Sequence, residues 1–198
     1  IVNTLTEREY CRTWYSKLGG DMSQRKLVEV VNYLHSLHVA GVPIVTFNGL
    51  GFDWRVICDN VGEDNLIIQT RVRDMARGHH DIMLKYTCEY GYFVSLQSFL
   101  DLSNSGLSTT GSGKDVITKW CGEQATHQSQ LDVLDGCRNN IQCLSHVYSQ
   151  LWNPEPIKRK TKSGNTQIWD HGGKVDTVQV CVEKFIANPL ENSWLRNP

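Results

Sequence analysis

The 198-residue chain has no apolar run approaching the roughly 20 residues of a membrane span, and its N-terminus has no basic-then-apolar signal. Charge of one sign is lacking too: 20 Lys+Arg stand against 21 Asp+Glu, a net of −1. No global field therefore draws the molecule to a polyanion, and nucleic-acid binding would have to come from a local patch. Seven cysteines (11, 58, 88, 121, 137, 143 and 181) include no C-x-x-C pair. Six sit in segments that read as strand or helix among apolar neighbours, the setting of a buried free thiol. An odd number in a chain this long argues against a secreted disulfide framework and for an intracellular, reducing compartment, with cytoplasm, nucleus and organelle matrix all open. What is present, 40% hydrophobic and 21% charged residues, suits one globular domain able to bury a core without staples.

The organising stretch is residues 42–60, with Asp53 as its chemical centre. Ile44, Val45 and Phe47, with Thr46 between, read as a short buried strand, and Asn48-Gly49-Leu50-Gly51 turns the chain. A helix is predicted from near Phe52, which puts Asp53 in its first turn beside the C-terminal end of a strand. Open α/β sheets hold ligands there. Read blandly, Asp53 is a helix-start carboxylate favoured by the macrodipole.

Upstream, residues 1–16 read as two strands joined by a solvated Glu7-Arg8-Glu9 turn. Asp21 or Ser23 can cap a helix over residues 22–39, whose apolar positions Leu27, Val30, Val31, Leu34 and Leu37 form one face. His35 and His38 lie three apart on it and could share a metal, but no third ligand stands at a recognisable spacing. Downstream, residues 63–77 read as an amphipathic helix and residues 79–84 as a strand. Consecutive strand side chains point to opposite faces, so the His79-His80-Asp81 triplet cannot meet one ion and is left outside the site. A short helix capped by Ser95, a Ser/Thr/Gly-rich surface loop over 103–113, a short helix over 114–120 and a long one over 131–152 follow.

The Asn48–Trp54 run, Asn-Gly-x-Gly-Phe-Asp-Trp, resembles the second motif of the DEDD-type 3′–5′ exonucleases, the DnaQ-like branch of the ribonuclease-H-like fold. It is closest to the proofreading domains of family B polymerases. The resemblance implies an α/β domain over residues 1–152, a mixed sheet flanked by helices. A hairpin and helix over 153–198 are appended to it. It implies that Asp53 binds a catalytic Mg²⁺ or Mn²⁺ and that Asn48 and Gly49 meet the substrate strand. The family's third motif, Tyr-x3-Asp or His-x4-Asp on a helix, has two registers here, His127/Asp132 and Gly136/Asn140. Apolar residues should follow the ligand position at about four, seven, eight and eleven. After Asn140 these are Leu144, Val147, Tyr148 and Leu151, whereas after Asp132 they are Gly136, Asn139, Asn140 and Cys143. The Asn140 register is preferred, and in it the motif's Asp is lost.

No Asp-x-Glu pair precedes Asp53, so one carboxylate of the family's four is in place. Two functions compete. One is a degenerate exonuclease-like domain serving as a nucleic-acid-binding or scaffold subunit, with single-stranded DNA or RNA and protein partners. The other is an active metal-dependent exonuclease whose Asp-x-Glu strand lies upstream of Ile1. Residues 157–169 carry a hairpin signal around Ser163-Gly164, with Lys158, Arg159, Lys160 and Lys162 as an exposed basic group fit for phosphates. A helix over 174–187 and a Trp194 that docks close the chain.

Overall fold

The computed structural model describes residues 14, 18–62, 64–103, 105–110 and 113–187, with backbone only at 113 and 114. The strands expected before residue 17, Trp14 apart, and the docking of Trp194 lie outside them. Of the two capping candidates, Ser23 accepts from the Lys26 N–H (3.3 Å), and α1 runs Gln24–Val39. β1 is short, Val45–Thr46, and α2, Asp53–Val61, carries Asp53 in its first turn as expected. Asn65 caps α3, Leu66–Gly78, by accepting from the Ile68 N–H (3.4 Å).

The strand predicted over 79–84 stops early. β2 is His80–Asp81, parallel to β1 with Val45 opposite His80 and Thr46 opposite Asp81. The Asp81 carboxylate accepts from the Leu84 N–H (3.2 Å), and this cap turns Ile82-Met83-Leu84 into the start of α4, Ile82–Tyr90. Gly91 ends α4 in the left-handed region (φ 84°), its N–H donating to the Thr87 carbonyl (2.8 Å). α5 spans Leu96–Leu100 and α6 Gly113–Cys121. α7 is one helix, His127–Gln150, opened by a reciprocal Thr126–Ser129 capping box and unbroken at Gly136. β3 (Ile157–Lys160) pairs antiparallel with β4 (Thr166–Trp169), and α8 is Val178–Ala187. The chain is thus a mixture of helix and strand in which the described sheets are two-stranded.

The contacts divide the described residues into two units. The first takes residues 18–26 and 96–170, so the hairpin goes with α5–α7; the second takes 27–95 and 171–187, so α8 goes with α2–α4. The first unit buries Phe99, Leu100, Cys143, Val147, Leu151, Ile157 and Trp169, with the Phe99 and Trp169 rings 5.5 Å apart. The second buries Leu27, Val31, Trp54, Val61, Ile68, Val72 and Met75 as one cluster. In the same unit Lys85 is buried. Desolvation works against its charge, but Glu89 (2.7 Å) and Asp176 (3.5 Å) outweigh that and hold the ammonium above the usual lysine value.

The thiols differ from the expectation of uniform burial. Among the six described, Cys143 and Cys181 are buried, Cys58 and Cys88 half-buried, and Cys121 and Cys137 exposed. Burial pushes the Cys181 thiol up to about 12, which starves it of reactive thiolate. A brief exposure of the folded protein to an alkylating reagent, read by peptide mass spectrometry, is expected to modify Cys121 and Cys137 ahead of the other described thiols. Cys143 and Cys181 should react only in denaturant.

Candidate functional site

The loop between β1 and α2 is shaped by residues that tolerate close quarters. Asn48 adopts a left-handed backbone (φ 66°), a region that asparagine enters at low cost. A Cβ at Gly49 would stand 2.4–2.6 Å from Thr46 side-chain atoms, Cβ included, so that position requires glycine, and one at Gly51 would stand 2.5 Å from Asn48 Oδ1, so a larger residue there would displace the Asn48 amide. The Phe52 N–H donates to the Asn48 carbonyl (3.1 Å) and the Trp54 N–H to the Gly49 carbonyl (3.0 Å), which launches α2.

What holds this loop is Asp81, a residue the sequence reading placed outside the site. One carboxylate oxygen accepts from the Asn48 N–H (3.0 Å) and the other from the Leu50 N–H (3.0 Å), in addition to the Leu84 cap. His79, two residues earlier on the same face of the chain, is fully buried and places Nε2 3.8 Å from Asp81. Its Nδ1 meets the Ala76 carbonyl (2.8 Å), and its ring stands edge-on to Trp54 at 5.3 Å. Burial raises the Asp81 carboxyl, but His79 and the Leu50, Leu84 and Asn48 N–H groups together hold it below its ordinary value. The signal available in the sequence was an Asp directly ahead of a helical apolar pattern at 82–86.

Asp53 has the opposite balance. The residue is exposed, yet protein crowds its carboxyl enough that desolvation leads, and the nearby Asp81 charge adds to it. Its own backbone bond and His79 oppose them, and the net effect raises it above its ordinary value. Around this corner three buried polar atoms, Thr46 Oγ1, Trp54 Nε1 and His79 Nε2, have no hydrogen-bond partner. His80 points elsewhere, as strand alternation demands; desolvation lowers it first, His79 adds to that and Asp176 opposes both.

Asn140 belongs to the other unit, where its amide is already engaged. The Thr110 N–H donates to Asn140 Oδ1 (2.9 Å) and Asn140 Nδ2 donates to the Thr110 carbonyl (3.3 Å). Asn139 Nδ2 donates to the Ser108 carbonyl (2.6 Å), and Thr110 Oγ1 to the Gly136 carbonyl (3.2 Å). A Cβ at Gly136 would meet that Oγ1 at 3.1 Å, so the small residue permits the approach. Gln97 Oε1 takes donors from Ser108 and Thr109 on the other side. The serine- and threonine-rich loop is therefore pinned between α5 and α7. Burial of Val147 and Leu151 agrees with the apolar spacing read after Asn140, while Asp132 is exposed and bonded to Gln128 (2.9 Å).

The hairpin corrects one further expectation. Alternation turns Ile157 and Arg159 inward, opposite Trp169 and Gln167, and Arg159 is only 4% exposed, its guanidinium bonded to Gln167 and the Lys160 carbonyl. The outward basic group is Lys158, Lys160 and Lys162, without Arg159.

No family model matches the chain, and neither a curated protein nor a solved structure does.

Replacing Asp81 by Ala leaves three backbone donors short and is expected to cost about 3 kcal/mol in denaturant unfolding. Because the Asp81 carboxyl is held below its unfolded value, its stabilisation is complete above that unfolded value. It is lost as pH falls through the folded one, so Asp81→Asn should flatten the acid limb of stability below about pH 4. Asn140→Asp trades a donor for a carboxylate facing the Thr110 carbonyl. The expected result is a loss of roughly 1–3 kcal/mol in urea unfolding.

Proposed function

We propose that the chain is an exonuclease-like domain of the ribonuclease-H-like class that no longer hydrolyses nucleic acid and acts as a nucleic-acid-binding or scaffold subunit. What carries this reading is how the polar groups at the motif positions, and Asp81 beside the first of them, are used. Asp81 is taken up by backbone N–H groups, the Asn140 amide by Thr110, and Asp53 is left, among the described motif positions, as the one carboxylate not so engaged, with surroundings that disfavour its charge. Two-metal phosphodiester hydrolysis holds two divalent ions about 3.5–4 Å apart, one generating the nucleophile and one stabilising the leaving oxygen. Mg²⁺, hard and reluctant to lose water, needs charged oxygens for this. A single carboxylate does not supply them.

The outward hairpin face favours binding. Lys158, Lys160 and Lys162 concentrate positive charge that the chain as a whole lacks, and β3–β4 pairing fixes the first two on one side. Such a face suits a phosphate backbone without base readout.

The test uses end-labelled single-stranded DNA and RNA. Binding is expected to weaken with salt, and changing the three lysines to Gln should reduce affinity and flatten the slope by ~0.7 per lost contact. Unchanged affinity and slope would remove the hairpin as the contact. In Mg²⁺ or Mn²⁺ no shortening is expected; stepwise loss from the 3′ end, abolished by Asp53→Ala, would make the protein an active exonuclease instead.

A further inference from the structure

A cavity of about 210 Å³ opens beside the hairpin, lined by Leu102 and Ser103 after α5, by Gln150 and Asn153 at the end of α7, and by Glu155 and Lys158 on the way into β3. All six residues belong to the first unit. Pockets for drug-sized ligands hold about 300–1,000 Å³, so this one has room for a single ring system. Short-range bonds fix its walls. The Ser103 hydroxyl donates to the Leu100 carbonyl (2.9 Å). The end of α7 tightens, with the Leu151 and Asn153 N–H groups donating to the Tyr148 (3.1 Å) and Gln150 (3.0 Å) carbonyls three residues back. The carbonyl end of a helix carries partial negative charge, and Glu155 adds a full one, so the cavity suits a group that presents N–H donors and disfavours an anion.

The hairpin face has the opposite preference. Lys158 and Lys160 point outward from β3, about 7 Å apart along the strand, and Lys162 follows in the turn. None of the three is engaged by a carboxylate among the described residues. The turn itself is ordered: the Thr161 N–H donates to the Asn165 carbonyl (2.8 Å), and the Asn165 N–H donates to Thr161 Oγ1 (3.0 Å). Lys158 belongs both to this row of cations and to the cavity wall. A row of cations therefore adjoins an acceptor-rich cavity of one ring's size. A nucleotide carries the matching halves in one unit, an anionic phosphate and a neutral base whose edge displays amino or imino N–H groups.

Resting on the strand-binding function above, we propose that a single strand lays its phosphates along Lys158, Lys160 and Lys162 and turns one base into this cavity. Lys158 holds the phosphate of the inserted nucleotide. Glu155 accepts from the N–H groups of the base edge, the Asn153 amide offers both a donor and an acceptor, and Leu102 gives the ring an apolar contact.

The test is fluorescence anisotropy at several salt concentrations, comparing a mixed-sequence single-stranded DNA with a strand of equal length in which an abasic tetrahydrofuran unit replaces every base. The strand with bases is expected to bind the full chain about fivefold more tightly, the net worth of one or two hydrogen bonds. Asn153→Leu and Glu155→Gln, both at exposed positions, should each narrow that ratio and keep the melting temperature. They should also leave the salt slope as it is, since the slope counts phosphate contacts. Changing Lys160 and Lys162 to Gln should do the reverse, lowering the slope and keeping the ratio. Deoxynucleoside 5′-monophosphates should compete only at far higher concentration, because they reach Lys158 alone. Equal binding of the two strands, or a ratio that neither cavity variant alters, would overturn base insertion while leaving strand binding by the hairpin in place. A monophosphate that binds as tightly as the strand would overturn it in favour of a free-nucleotide site. Binding of neither strand would overturn both this site and the function it rests on.

Discussion

One carboxylate sets the geometry of the second unit. Parallel pairing between β1 and β2 spans two residues on each side, too short a ladder to fix a loop by itself. Asp81 supplies the missing constraint by accepting from Asn48, Leu50 and Leu84 at once. It thereby closes the turn after β1, starts α4 and fixes where α2 begins. Charge-assisted bonds to backbone N–H groups are about twice as strong as neutral ones, and here they are shielded from water. Desolvation leads in raising the Asp53 carboxyl, and the charge of the same anchor adds to it.

Long periodic segments were legible in the sequence because a repeating apolar face leaves little choice: α1, α3 and α7 appear near their predicted bounds. The short strands were harder, since two residues of ladder carry no period. Strand alternation at His79-His80-Asp81 has two consequences. It excluded a shared ion, yet it also put His79 and Asp81 on one face, and that pair became part of the site. In the same way alternation along β3 was visible, but counting charges hid that Arg159 had to follow Ile157 inward.

Asn139, Asn140 and Gly136 show a limit of another kind. Their spacing on α7 was readable, and the packing after Asn140 followed it. That the two amides reach across about thirty residues to grip Ser108 and Thr110 depends on tertiary placement, which no local pattern encodes. An asparagine at a position where a family holds aspartate reads as a lost ligand in the sequence. In the structure it is a donor and acceptor for the backbone N–H and C=O of one residue, Thr110, a role an aspartate could fill only by half.

The division of the chain has a consequence for biosynthesis. Residues 27–95 leave the ribosome well before α8, while residues 96–170 between them belong to the other unit. Domains tend to fold as they emerge, at about 5–20 residues per second, so the first-made half of the second unit waits seconds for its partner helix. During that interval Lys85 has Glu89 from its own helix but not Asp176, and α4 keeps the face that α8 later covers open to water. The nascent chain therefore passes through a stage with one finished unit and one half-built unit.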